Sequence, residues 1–406
     1  VLDATKNWNL LLTKSEEIQG LPKRILESFA NSAKASGEKG SNGNSSPTTE
    51  KGPWRITLDM PSYLPFITYS ENRKLRETIY KAYVSRASNG LLDNNKIITE
   101  ILSTRTKQAQ LLGHKNWADL SLESKMAKNT SEVEQLLEEL RSASIISARK
   151  ELKELKEFAL SHGASLEDSN IEPWDITYWS EKLRQEKYNL DKEALRSWFP
   201  LPQVLDGLFE LCEKLFNIKV VASEKPNISK WHKDVRLFDV FDHNGSEIAS
   251  FYLDPYSRSA TKRGGAWMDE CLGRSKDSTG KTILPVAYLI CNQTPPTENK
   301  PSLMSFEEVE TLFHEFGHGL QHMLTKVDYP QAAGINNVEW DAVELPSQFM
   351  ENWCLERTTI MGMAKHWETG EALPEKEFNK LRLSRTFNSG MSTLRQVHFA
   401  LTDIRL

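Results

Sequence analysis

The chain has 406 residues, 39% hydrophobic and 26% charged, with a formal net charge of -5. That is the balance of an ordinary globular protein, long enough for two sub-structures or one large enzyme domain. There is no basic footprint for nucleic acid and no apolar run near the ~20 residues that span a bilayer, so neither nucleic-acid binding nor membrane insertion is expected.

From the N-terminus, Leu2, Trp8, Leu10 and Leu12 suggest a helix-like segment over residues 1–12, and a second helix is expected after the Gly20-Leu-Pro22 break. Ser36 to Pro53, rich in Gly, Ser and Asn, offers nothing to bury and reads as a flexible surface loop. Trp54 to Asp59 alternates as a short strand. Helical periodicity then predicts Glu71–Arg86, Asn95–Leu112 with Gly113 as its stop, Ser131–Leu160 opened by a Ser131/Glu134 capping box, Asp175–Tyr188 and Pro202–Phe216. The charged run in the long Ser131–Leu160 helix is a solvated face rather than a binding patch. The period changes after Trp231. Val235–Phe241 and Ile248–Leu253 flank Asp242-His-Asn-Gly245, a strong hairpin signal. Ile283–Cys291 predicts a third strand, and Pro285 favours the sheet edge, where an extended peptide can add as a further strand. Between these, Gly264 and Gly265 permit close approach of a ligand backbone or make a plain tight loop.

The four cysteines, Cys212, Cys271, Cys291 and Cys354, are far apart and lack a C-x-x-C pairing. They predict free, mostly buried thiols in a reducing compartment. The expected compartment is cytoplasmic, or a mitochondrial or chloroplast interior if a transit peptide was removed. The chain opens on Val1 as though inside a longer protein.

The chemistry concentrates in Thr311 to Gln321, TLFHEFGHGLQ, which contains His314-Glu315-x-x-His318. Residues four apart stack on one helix face, so two imidazoles can grip one metal ion while Glu315 leans over the same face. Ser305-Phe-Glu-Glu308 gives this helix a capping box, and Gly317 and Gly319, each costing roughly 1 kcal/mol, imply close packing against it. His322 reads as a core or orienting histidine, because the metzincin pattern requires its third histidine at position 324, which is Leu324. Catalytic zinc needs a third protein ligand. A helical candidate, Asn337 to Glu344, offers Glu339, Asp341 and Glu344, of which Glu344 sits in the apolar frame of Val343, Leu345, Phe349 and Trp353.

FHEFGHGLQH and VEWDAVELPSQFMENW, with RGGAWMDE, CNQTPP and YLPFITYSENRKLRETIYKAYVSRAS, resemble the thimet oligopeptidase and oligopeptidase A family of zinc metallopeptidases, the oligopeptidase A branch in particular. The resemblance implies one zinc ion held by His314, His318 and Glu344, with Glu315 as the base that takes a proton from the attacking water and passes it to the leaving amine. A carboxylate should orient the imidazoles, with Glu310, Glu339 and Asp341 as candidates. The implied fold is mainly α with a small antiparallel or mixed β-sheet, a zincin-type helical metallopeptidase of two halves around a deep channel. Residues 1–53 would end an N-terminal helical region and carry the loop. Residues 54–406 would form the catalytic domain, helical over 54–225, with the small sheet and zinc helices over 230–406. The implied activity is that of a monomeric endopeptidase acting on short peptides.

The family continues through a Gly- and Tyr-rich segment whose His and Tyr side chains steady the oxyanion, and this chain has no match to it. The N-terminal helices of the family are likewise unmatched. Loss of an oxyanion donor typically costs on the order of 100- to 1000-fold in rate, so the alternative is a truncated, catalytically weak form that binds peptides or a partner chain. A zinc aminopeptidase is disfavoured, because its Gly-x-Met-Glu-Asn lies upstream of the zinc helix whereas Met350-Glu-Asn352 lies downstream.

Overall fold

The computed structural model describes residues 1–40, 46–165, 170–258, 261–296 and 300–406, and divides into two compact units. Unit 1 comprises Val1–Glu123, Asn129–Asn189 and Ser384–Leu406, and unit 2 comprises Ser124–Lys128 and Leu190–Leu383. The chain is mainly helical with small sheets, as its sequence predicts. Among the described residues no helix is long and apolar enough to cross a membrane.

Unit 1 begins with a correction. Only Leu2–Asn7 is helical (α1), whereas Asn9–Leu12 is a strand (β1) paired antiparallel to Trp54–Thr57 (β2). Leu12, Trp54 and Ile56 alternate inward, and the helix Lys23–Ala35 (α2) closes over them with Ile25, Phe29, Ala30 and Ala33. Pairing between segments about 45 residues apart thus overrides a local helical pattern. The predicted loop Ser36–Pro53 lies partly, at 41–45, outside the described residues. In its described part Thr48 and Gly52 exchange main-chain hydrogen bonds. Met60–Tyr69 (α3) and Arg73–Val84 (α4) follow, and Asn72 caps α4 by accepting from the Leu75 amide. Asn95–Leu111 (α5) stops at Gly113, whose φ of +85° suits glycine. After Trp117–Leu122 (α6) comes Thr130–Ser161 (α7). Its cap is Asn129, which accepts from the Glu132 amide, and not the expected Ser131 box. Pro173–Tyr188 (α8) presents a fully buried Asp175 that binds both Arg73 and Arg76 of α4 at 2.9 Å.

Unit 2 contains Lys192–Leu195 (α9), Leu201–Phe216 (α10) and the main sheet. Its strands are Lys219–Ala222 (β3), Arg236–Phe241 (β4), Glu247–Tyr256 (β5), Trp267–Leu272 (β6) and Val286–Gln293 (β9); Ser275–Lys276 (β7) and Thr282–Ile283 (β8) form a separate small ribbon. The order is β3-β4-β5-β9-β6, with β5 and β9 parallel and the other pairs antiparallel. The predicted hairpin is β4–β5, turning at Gly245 with φ +77°. The predicted edge strand is corrected: β9 is internal, between β5 and β6, and β6 is an edge. Pro285 precedes β9 and its carbonyl accepts from the Ser250 amide, so its missing N–H costs the ladder nothing.

Phe306–Met323 (α11) lies over this sheet, capped by reciprocal hydrogen bonds between Ser305 and Glu308. Its Val309, Leu312, Phe313, Phe316 and Leu320 are buried above Ala249, Phe251 and Leu253 of β5 and Ala287 and Leu289 of β9. The Phe251 and Phe316 rings meet edge to face at 5.4 Å, and each such buried ring contributes roughly 2–3 kcal/mol. The segment 337–344, expected to be helical, is a run of turns, and the helix Leu345–Glu351 (α12) begins just after Glu344. Arg357–Met363 (α13) and Glu375–Ser384 (α14) follow, unit 2 ending at Leu383 within α14. The last helix, Ser389–Arg405 (α15), belongs to unit 1, where Glu151 of α7 accepts from the Gly390 and Met391 amides at its first turn.

Candidate metal centre

The centre is built by two helices of unit 2. The 3.6-residue turn sets His314 and His318 on one face of α11, their rings 5.0 Å apart and nearly perpendicular. Glu344, at the entry to α12, brings Oε2 to 3.2 Å from Nε2 of both histidines. Candidate ligand atoms of these three residues all lie within 4.8 Å of one another. Two donors bound to one tetrahedral metal at about 2.1 Å are about 3.4 Å apart, so the observed spacing fits a shared ion.

Close approach of the helices depends on Gly317. A Cβ there would stand 2.5 Å from the Pro346 carbonyl oxygen and 2.6 Å from Ser347 Cα, both main-chain atoms of α12. Ser347 then donates from Oγ to Glu344 Oε2 at 2.8 Å, holding the carboxylate towards the imidazoles. The apolar frame expected around Glu344 is not a burial site, since Leu345 and Phe349 are exposed and Glu344 itself is half exposed.

His314 Nδ1 donates to Glu351 Oε1 at 2.6 Å, which fixes its proton on Nδ1 and leaves the Nε2 lone pair for a metal. Glu351 was not among the expected orienting carboxylates. Its signal was nonetheless present: it follows Glu344 by seven residues, two helical turns, and so shares its face. Asp341 instead accepts from the Met126 and Ala127 amides, which hold its carboxyl below the ordinary range. Glu339 is exposed in the turn segment, and Glu310 lies one turn before His314 on α11.

Glu315 is only 5% exposed. Burial, with help from the negative Glu344 and against the attraction of His314, pushes its carboxyl up to about 7. Burial also lowers the His318 pKa, with His314 acting in the same direction and Glu344 opposing, which favours the neutral imidazole that a metal requires. No disulfide joins Cys212, Cys271, Cys291 and Cys354, and burial pushes the Cys212 and Cys291 thiols up to about 12. His322 is fully buried and stands apart from the ligand group.

Gly264 and Gly265 lie in an exposed loop before β6, and a Cβ added at either meets nothing within 4 Å. Asn292 of β9 holds the loop by donating to the Arg263 and Gly265 carbonyls.

A family model for peptidase family M3 matches residues 66–406. Two Arabidopsis thaliana proteins, an organellar oligopeptidase A (chloroplastic/mitochondrial) and a probable cytosolic oligopeptidase A, are each 52% identical over all of this chain, which covers 51% and 57% of their lengths. Oligopeptidase A of Escherichia coli K12 is 44% identical, again over the whole chain and 58% of that protein. The chain thus spans little more than half the length of these relatives, and by the match along residues 66–406 it belongs to peptidase family M3.

Proposed function

We propose that this chain is a zinc-dependent endopeptidase unit that hydrolyses short peptides, with Glu315 as general base. The observation that carries the reading is the convergence of His314 Nε2, His318 Nε2 and Glu344 Oε2 beside a buried Glu315. Two imidazoles and one carboxylate suit zinc and leave its fourth position open. When bound, zinc supplies Lewis acidity to a water molecule and to a carbonyl. Glu315 accepts the proton that the water loses on attack, holds it on its carboxylate, and donates it to the departing amine. The dry setting that raises its proton affinity towards neutrality suits both steps. Glu351 keeps the His314 ring aligned throughout.

The outer edge of β6 is unpaired among the described residues, and its free main-chain groups suit an extended peptide. Gly264 and Gly265, just before it, leave room for the peptide backbone. Short peptides as substrates and a monomeric state are part of the same proposal. Relatives at 52% identity carry both cytosolic and organellar names, which supports cytoplasmic and organellar settings alike.

The test is Glu315→Gln. The purified variant should retain one zinc per chain and lose cleavage of a quenched fluorescent peptide by at least about 100-fold. Cleavage at the rate of the parent chain rejects the assignment.

A further inference from the structure

His322 is the third histidine of α11, fully buried and outside the His314, His318, Glu344 group. Its Nε2 donates to the main-chain carbonyl of Leu272, the last residue of β6, at 2.9 Å. A carbonyl only accepts, so the ring proton sits on Nε2. Nδ1 meets no hydrogen-bond partner; the Glu270 carboxylate lies 3.8 Å away, and Gly334 backs the ring so closely that a Cβ there would be 2.4 Å from Nδ1. Glu270 in turn accepts from Asn336, and Arg274 and Lys276 just beyond β6 bind Asp328 at 2.8 and 3.1 Å. The far end of the edge strand is therefore fastened to α11 and to the chain that follows it.

The other end of β6 is level with the chemistry. Trp267 pairs with Ile290 and Leu272 with Val286 of β9. Above β9, Gly319 of α11 meets Leu289, and Glu315 lies close enough to Cys291 for its charge to act on that thiol. Running along α11 from Glu315 to His322 thus follows β6 from Trp267 to Leu272.

We propose that His322 is a positioning residue that sets the longitudinal register of the β6 edge against the metal ligands, and so selects which peptide bond of a strand-added substrate reaches them. The inference rests on the peptidase reading above. A β-ladder repeats every two residues, about 6.8 Å, so a peptide can slip by one repeat and still satisfy its main-chain groups. The strand alone cannot define the scissile bond. His322 can, because it shares one rigid helix with His314 and His318, the former about 12 Å away along the axis.

The test compares His322→Phe, which keeps a ring but removes the donor, with His322→Gln, whose amide nitrogen restores it. Zinc content, KM, kcat and product masses are measured on a peptide of known sequence. The Phe variant is expected to keep one zinc, raise KM on the order of 10-fold with little change in kcat, and cut at additional neighbouring bonds, while the Gln variant returns all three to the parent pattern. Parent KM and products in the Phe variant, a Gln variant as defective as Phe, or loss of zinc in both overturns the inference. If the Phe variant does not fold, His322→Leu, which also removes the donor but with a smaller side chain, takes its place against the Gln variant; an unchanged KM and product pattern in it overturns the inference. A zinc-loaded parent chain that cleaves nothing rejects the peptidase reading and this inference together. A parent that cleaves, beside an unchanged Phe variant, rejects this one alone.

Discussion

Glu315, the proposed base, faces two opposed demands, since a base must ionise yet this carboxyl is buried. Burial raises its pKa from the ordinary 4.5 to about 7. The folded chain therefore keeps a proton that the unfolded chain releases across that interval, and the associated stability, full below pH 4.5, is lost as pH rises through 7. Glu315→Gln has no charge to bury. In chelator, urea unfolding should find the variant equal to the parent near pH 4.5 and more stable by up to about 3 kcal/mol at pH 8. A difference that does not change with pH contradicts burial as the cause. Adding zinc should shrink the gap, because a nearby cation favours the carboxylate.

At the scale of the element, the centre depends on two helices approaching until their backbones touch. Gly317 faces main-chain atoms of Pro346 and Ser347, which cannot rotate aside, whereas Gly319 faces a Leu289 methyl group at 3.1 Å. Gly317→Ala must push α12 and Glu344 away. It should cost about 1–3 kcal/mol and weaken zinc binding by at least roughly 10-fold in a competition titration. Gly319→Ala should leave zinc affinity unchanged, with the gain in helix propensity of up to about 1 kcal/mol offsetting the tighter packing. Equal effects on zinc from both substitutions would count against helix separation as the mechanism. The helices were largely legible from periodicity: α4, α5, α7, α8, α10 and α11 fall close to their expected bounds. The turns at 337–344 were not, because Val338, Ala342 and Val343 keep a helical spacing in a segment that ends up building turns before α12.

For the molecule as a whole, a metal held at the proposed site would link segments that the backbone joins only through a long connection. His318 and Glu344 are 26 residues apart, the difference of their numbers, and both lie in unit 2. Closing that connection in the absence of metal is opposed by chain entropy. Zinc at about 1000 times its dissociation constant should therefore stabilise the fold by about 4 kcal/mol. Hydrogen exchange should show the added protection over residues 306–351, and exchange there that ignores chelator would contradict the three-ligand site.

The sequence by itself determined what depends on neighbours in the chain. The helical period places His314, Glu315 and His318 together, Ser305 and Glu308 close their capping box, and Asn244-Gly245 turns the hairpin. Tertiary structure alone decided which strand is the edge, which carboxylate orients His314, and that His322 fastens β6. Each of these turns on a distance between segments far apart in the chain: β6 with β9, Glu351 with His314, Leu272 with His322. Periodicity fixes the face on which a side chain stands, and only packing brings the opposite face to meet it.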